Sequence, residues 1–213
     1  MGAQILYRAS NALVFIFIAN QFGDKDAGIY TLGLAYFLIC SRISFFGLDL
    51  LLTREVAKRP DLLTRYFVTF ATFRLTISTV LVSAISLFLI LSQPYDTDTT
   101  TILLVMLFSV IPESLINLNL GCFTSREEVY WNSLTFAVNG MTKLVAGLLV
   151  IFYAFPLIGV AYVFLLSQVI TMLVSTTIVI KRYVTNWEKP SFNLVKTTMA
   201  TSSSFFILSL IHI

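Results

Sequence analysis

The 213-residue sequence predicts an all-α integral membrane protein: six complete transmembrane helices, the start of a seventh, and a cytoplasmic N-terminus. Three observations predict it. The chain is 57% hydrophobic and only 12% charged, with a mean hydropathy of +0.88, whereas soluble domains carry about 25% charged residues. Its apolar runs are long enough to cross a hydrocarbon core of roughly 30 Å at 1.5 Å per residue. The basic residues also alternate between connectors. Arg8, Arg54, Lys58, Arg59, Arg65, Arg126, Lys181, Arg182, Lys189 and Lys196 fall on one side and Lys25 alone on the other, which sets the first side in the cytoplasm.

Taken in order, the first span covers 4–20 and carries Arg8. A polar turn, Phe22-Gly23-Asp24-Lys25-Asp26, leads to a second span at 27–52 that holds Arg42, Gly47 and Asp49. A charged cytoplasmic connector with Pro60 follows, and the third span, 66–91, carries Arg74. The outer turn 92–100, marked by Pro94, precedes a fourth span at 101–122 containing Pro112-Glu113. The fifth, 129–152, carries Lys143, and the sixth, 157–180, has no charge. Residues 1–180 then read as one six-helix lobe. Residues 181–196, with Trp187 and flanking lysines, read as an interfacial cytoplasmic linker, and 197–213 as the opening of a second lobe in a longer protein.

Ionisable side chains at membrane depth cost about 3 kcal/mol each, so they normally face a bundle interior or a wet cavity. Helical spacing groups them. Gln4, Arg8 and Asn11 share a face of the first span; Arg42 and Asp49 share one of the second, about 10 Å apart and too distant to pair. Asp49 reads as a cap or as a partner for Arg54. Arg74 aligns with Ser78, and Glu113 with Ser109 and Asn117 beside Pro112, a candidate kink. Asn132, Asn139, Lys143 and Gly147 form the longest stripe, and Gln168, Thr171 and Ser175 a neutral one. Asn132 and the neutral stripe read as glue between helices. Arg8 is close enough to the cytoplasmic end to snorkel, which stands level with a functional role. Arg8, Arg42, Arg74 and Lys143 outweigh Asp49 and Glu113, giving a cationic interior suited to an anionic cargo. A structural Glu113–Lys143 pair is the competing account.

Other chemistry finds no support. Cys40 and Cys122 have no metal or disulfide spacing and read as small apolar packers. Asp96 and Asp98 sit in a short turn where solvation explains them, and His212 stands alone. The sequence shows no nucleophile–base pairing, glycine-rich phosphate loop or metal-ligand spacing, and it reads as having no cofactor, no cleavable signal peptide and no nucleic-acid partner.

Several short motifs in order resemble the polysaccharide (oligosaccharide-lipid) flippases of the Wzx type, in the superfamily that holds the MATE drug exporters. They are Arg8-Ala9-Ser10-Asn11, Phe22-Gly23 with Ala27-Gly28-Ile29-Tyr30, and Phe46-Gly47-Leu48-Asp49 followed by Thr53-Arg54-Glu55-Val56-Ala57. The resemblance implies the first lobe of a MATE-like transporter, not an enzyme, in the cytoplasmic (inner) membrane. It implies a polyprenyl-pyrophosphate-linked oligosaccharide as cargo, with membrane lipids and other polysaccharide-assembly proteins as partners. Arg8, Asn11, Arg42, Arg74, Asn139 and Lys143 would then bind cargo, while Asp49 and Glu113 would couple an ion or hold the arginines. The alternatives are a cation-coupled multidrug exporter of the same superfamily and, more remotely, a membrane enzyme of glycan assembly.

Overall fold

A computed structural model describes residues 2–45, 47–153, 155–184, 187, 189–191 and 194. The segment 197–213, expected to open another span, lies outside the described residues. The elements are α1 (Gly2–Phe45), α2 (Leu48–Lys58), a 3-10 turn (Pro60–Leu62), α3 (Leu63–Ser92), α4 (Thr97–Phe108), α5 (Val110–Ser125), α6 (Val129–Phe152) and α7 (Leu157–Tyr183). Among the described residues, five stretches are long and apolar enough to cross a bilayer: α1, α3 with its preceding turn, α4 with α5, most of α6, and α7. The chain is a multi-pass membrane protein.

A straight 44-residue helix would extend about 66 Å, twice the depth of the hydrocarbon core. Gly23 interrupts α1 with φ 84 and ψ 179, a conformation essentially reserved for glycine. Val14 and Tyr30 would lie about 24 Å apart on an unbroken helix, yet both line one small cavity. The polar turn read from the sequence is therefore a sharp bend after which α1 folds back on itself.

The second expected span does not run to residue 52. α1 stops at Phe45, Gly47 takes a left-handed conformation (φ 66), and a separate short helix, α2, begins at Leu48. Arg42 and Asp49 thus do not share a face of one helix. Leu48, Leu51, Leu52 and Val56 of α2 are buried while Arg54 and Lys58 are exposed, so α2 is amphipathic and packs its apolar stripe on α5 and α3.

The fourth span breaks at Ser109, between α4 and α5. Pro112 explains the position. It has no N–H for the Phe108 carbonyl, and its ring crowds that same oxygen. The Ser109 N–H instead donates to Met106 O at 3.1 Å, a tighter turn.

Two apolar clusters hold the bundle. One includes Val14, Tyr30, Phe37, Val82, Val110 and Phe164; the other includes Leu48, Phe70, Leu118, Phe123 and Val179. On each helix that reaches both, polar side chains lie between: Arg74 and Ser78 on α3, Glu113 and Ser114 on α5, Gln168 to Ser175 on α7. Asn139 and Lys143 occupy the same level of α6 and are buried. Cys40 and Cys122 are free and buried, as small apolar packers should be.

Candidate functional site

The polar layer is assembled mainly where α1 crosses α6. Gly140 allows the approach: a Cβ there would come within 3.1 Å of Ser10 Oγ and 3.2 Å of Tyr7 Cα. With the backbones this close, Lys143 reaches across and donates from Nζ to Asn11 Oδ1 at 3.2 Å. Lys143 is 4% exposed. Its ammonium lies 4.4 Å from the centre of the Phe164 ring and 5.1 Å from that of Tyr7, both within cation–π range.

One turn along α6, Asn139 donates from Nδ2 to Gln168 Oε1 of α7 at 2.8 Å. The remaining Asn139 Oδ1 and Gln168 Nε2 are buried without a hydrogen-bond partner. Asn139 borders a cavity of about 30 Å³, together with Tyr7, Glu113, Asn117, Thr135 and Thr171. That volume accommodates a water molecule, which needs roughly 10–15 Å³, and no phosphate group. Glu113 is half-buried at its edge, accepts from Asn117 Nδ2 at 3.2 Å, and lies in Coulombic reach of Lys143 and Arg42.

Arg74 is placed differently. It is 1% exposed, and both terminal nitrogens of its guanidinium are engaged at the Gly47 break, while its Nε is buried without a hydrogen-bond partner. One terminal nitrogen lies 2.7 Å from Asp49 Oδ1, an ion pair off the axis of a hydrogen bond, and donates to Phe45 O at 2.8 Å. The other donates to Ser114 O at 3.0 Å, and the Phe45 ring lies 5.2 Å beneath the group. Asp49 therefore pairs with Arg74 and not with Arg54, whose carboxylate neighbour is Glu55 at 3.9 Å. Removing one partner of such a buried pair typically costs about 3–5 kcal/mol.

The structure thus gathers Asn11, Glu113, Asn139 and Lys143 into one layer and joins Arg74 to Asp49 beside it. Arg8 and Arg42 are exposed on the surface of the bundle. The Gln4–Arg8–Asn11 stripe separates accordingly: Gln4 and Arg8 point outward, and Tyr7, four residues before Asn11, turns inward. Tyr7 and Gln168 belong to the site and were not singled out as such from the sequence. Their signal was the helical spacing of Tyr7 with Asn11 and the polarity of Gln168 in an uncharged span. Asn132 donates to Thr124 Oγ1 at 3.0 Å, the helix-joining part expected of it. Among the described residues no group of three His, Cys, Asp or Glu side chains is arranged to hold a metal ion.

Solved structures with a similar fold are membrane transporters. An outward-facing multidrug resistance MATE family transporter of the MOP superfamily aligns at TM-score 0.72 and 15% identity, covering 96% of this chain and 50% of its own. A MATE in the bent conformation aligns at 0.70 and 15% identity, over 98% and 50%. A MOP superfamily transporter from Pyrococcus furiosus, described as having a binding pocket of reverse polarity, aligns at 0.67 and 15% identity, over 96% and 51%. The chain thus spans about half the length of these structures. No curated protein matches it. The sequence model of the polysaccharide biosynthesis proteins matches residues 1–213, the whole chain, and the protein belongs to that family.

Proposed function

We propose that this chain forms one lobe of a flippase that moves polyprenyl-pyrophosphate-linked oligosaccharide units across the cytoplasmic membrane for surface polysaccharide synthesis. In this reading residues 1–180 cross the bilayer six times from a cytoplasmic N-terminus, the two arms of α1 counting as separate crossings, and 181–196 link to a second lobe. The observation that carries it is Lys143, a cation held in the bundle interior with one hydrogen-bond acceptor, Asn11, and two aromatic faces. Buried charge of this kind is retained at a cost, and function is the usual reason. Exposed Arg8 and Arg42 add positive charge at the lobe surface, where a pyrophosphate could be gripped by guanidinium forks. Asn11 and Asn139, buried in this structure or nearly so, complete the cargo-binding set once the helices part. Arg74 enters as a support, because its terminal nitrogens are occupied by Asp49, Phe45 and Ser114.

The test is complementation of a strain lacking its flippase by the complete gene product, with Lys143→Ala and Arg42→Ala introduced separately and membrane levels checked by immunoblot. Both variants should fail to restore surface polysaccharide; normal polysaccharide in both overturns the reading. A second reading, a cation-coupled multidrug exporter, draws on Glu113, a carboxylate beside a water-sized cavity. Dye extrusion driven by a Na⁺ or H⁺ gradient, with no effect on polysaccharide, would favour it.

A further inference from the structure

The backbone at the junction between α1 and α2 does little by itself to fix the angle between them. Gly47 has no side chain to restrict its φ and ψ, and no side chain caps the start of α2. The last carbonyls of α1 have no partner within their own helix. A glycine elbow of this kind would ordinarily act as a hinge.

Arg74 closes it. From the middle of α3 it donates to Phe45 O at the end of α1, at 2.8 Å, and pairs with Asp49 in the first turn of α2, at 2.7 Å. Its second terminal nitrogen reaches Ser114 O of α5 at 3.0 Å. A planar guanidinium can serve these divergent acceptors at once, whereas a lysine ammonium on a flexible stem cannot be expected to hold the same geometry. α2 is braced again farther along: Thr53 Oγ1 donates to Gly121 O of α5 at 3.3 Å. Gly121 also has no side chain to displace Asp49, whose Cβ would stand 3.5 Å from a Cβ placed there.

We propose that Arg74 is a positioning residue. By gripping the end of α1 and the start of α2 together, it locks the Gly47 elbow. α2 and the Arg42-bearing end of α1 then move with α3 and α5 as one rigid body. The inference stands on the clamp and requires no cargo, so it can fail while the functional reading survives, and the reverse.

Spin-label distances test it in the complete protein, reconstituted in lipid nanodiscs without cargo. One label pair, at Arg54→Cys on α2 and Thr76→Cys on α3, measures the helix beyond the elbow against the helix that carries Arg74, from exposed positions. A control pair, Met141→Cys on α6 and Leu173→Cys on α7, reports on the rest of the lobe, and both sites are exposed. Native Cys40 and Cys122 are buried and are replaced by alanine. The parent should give a narrow distribution for both pairs. Arg74→Ala should broaden the α2–α3 distribution and shift it to longer distances while the control stays narrow. Arg74→Lys and Asp49→Asn, milder changes that keep a donor or an acceptor in place, should give intermediate widths for the elbow pair alone. An unchanged elbow distribution in Arg74→Ala overturns the proposal. So does equal broadening of both pairs in all three variants, which would mark Arg74 as a general stabiliser of the bundle.

Discussion

Lys143 and Phe164 face each other across α6 and α7, the ammonium 4.4 Å from the ring centre, with Asn11 of α1 as the hydrogen-bond acceptor 3.2 Å away. Three helices therefore converge on one buried positive charge. The aromatic faces offset part of its desolvation without neutralising it, so it stays available to an anion once the helices part.

That geometry makes conservative replacements informative. Lys143→Met keeps much of the aliphatic stem and removes the charge. If the charge recruits cargo, transport efficiency should fall at least about tenfold, equivalent to about 1.4 kcal/mol of lost interaction, while the protein still reaches the membrane. Lys143→Arg should also impair transport, because the adjoining cavity, about 10 Å³, has no room for a guanidinium. Transport assays in inverted vesicles, normalised to protein content, check both.

The seam beneath Lys143 predicts a contrast between two helical glycines. A Cβ at Gly140 would meet Ser10 Oγ at 3.1 Å and the Tyr7 backbone at 3.2 Å, while one at Gly28 meets nothing within 4 Å. Gly140→Ala should destabilise the protein by about 1–3 kcal/mol through overpacking against backbone that cannot rotate away. Gly28→Ala should be neutral or stabilising by up to about 1 kcal/mol, since alanine loses less freedom on entering a helix. Thermal unfolding in one detergent, read side by side, gives the sign of each.

Much of this was legible in the sequence, and the failures have physical causes. The stripe that holds Asn139 and Lys143 follows from helical spacing, and the helices themselves from apolar length. The partners of those residues could not be read, because they come from α1 and α7, far along the chain. The Gly47 break is hidden inside a run apolar enough to read as one span, since glycine does not by itself stop a membrane helix. With no break at Gly47, Asp49 reads as a cap or as a partner for a nearby basic residue such as Arg54, whereas its partner, Arg74, stands on another helix. Arg8 drew attention by its charge, yet the adjacent Tyr7 is the side chain that faces Lys143. Gln168 was read as glue between helices. It does join α7 to α6, and in doing so it brings an unpartnered amide nitrogen into the polar layer.

The bend in α1 should depend on Gly23 alone. At φ 84 and ψ 179 any side chain is strained, and such positions cost of order 1–3 kcal/mol when occupied by other residues. Nothing lies within 4 Å of a Cβ built there, so the penalty is conformational and not steric crowding by neighbours. Gly23→Ala should lower thermal stability, and Gly23→Val more so, with Gly28→Ala as the unaffected comparison. If both Gly23 variants melt with the parent, the bend has another cause.

The end of α7 carries a prediction about pH. Glu128 Oε2 accepts from Tyr130 OH at 2.7 Å and Trp131 Nε1 at 2.8 Å, and Arg182 lies 3.3 Å away with its guanidinium over the Trp131 ring. The Tyr130 hydroxyl foremost, then the other donors and the Arg182 charge, hold the Glu128 carboxyl below its ordinary range. A carboxylate whose pKa is depressed by folding contributes stability that is present above its unfolded value, about 4.3. That contribution is lost as pH falls through the lower folded value, because the unfolded chain then binds the proton more readily. Glu128→Gln keeps one acceptor oxygen and removes the charge. Its melting temperature should fall below that of the parent at pH 7, and the gap should close as the pH drops below about 4. The pair is solvent-facing, so the gap should be small and should shrink in 0.5–1 M salt, where the Debye length is only about 3–4 Å. A gap of the same size at pH 3 and pH 7 would mean that Glu128 acts there through its shape and hydrogen bonds, with no part played by its charge.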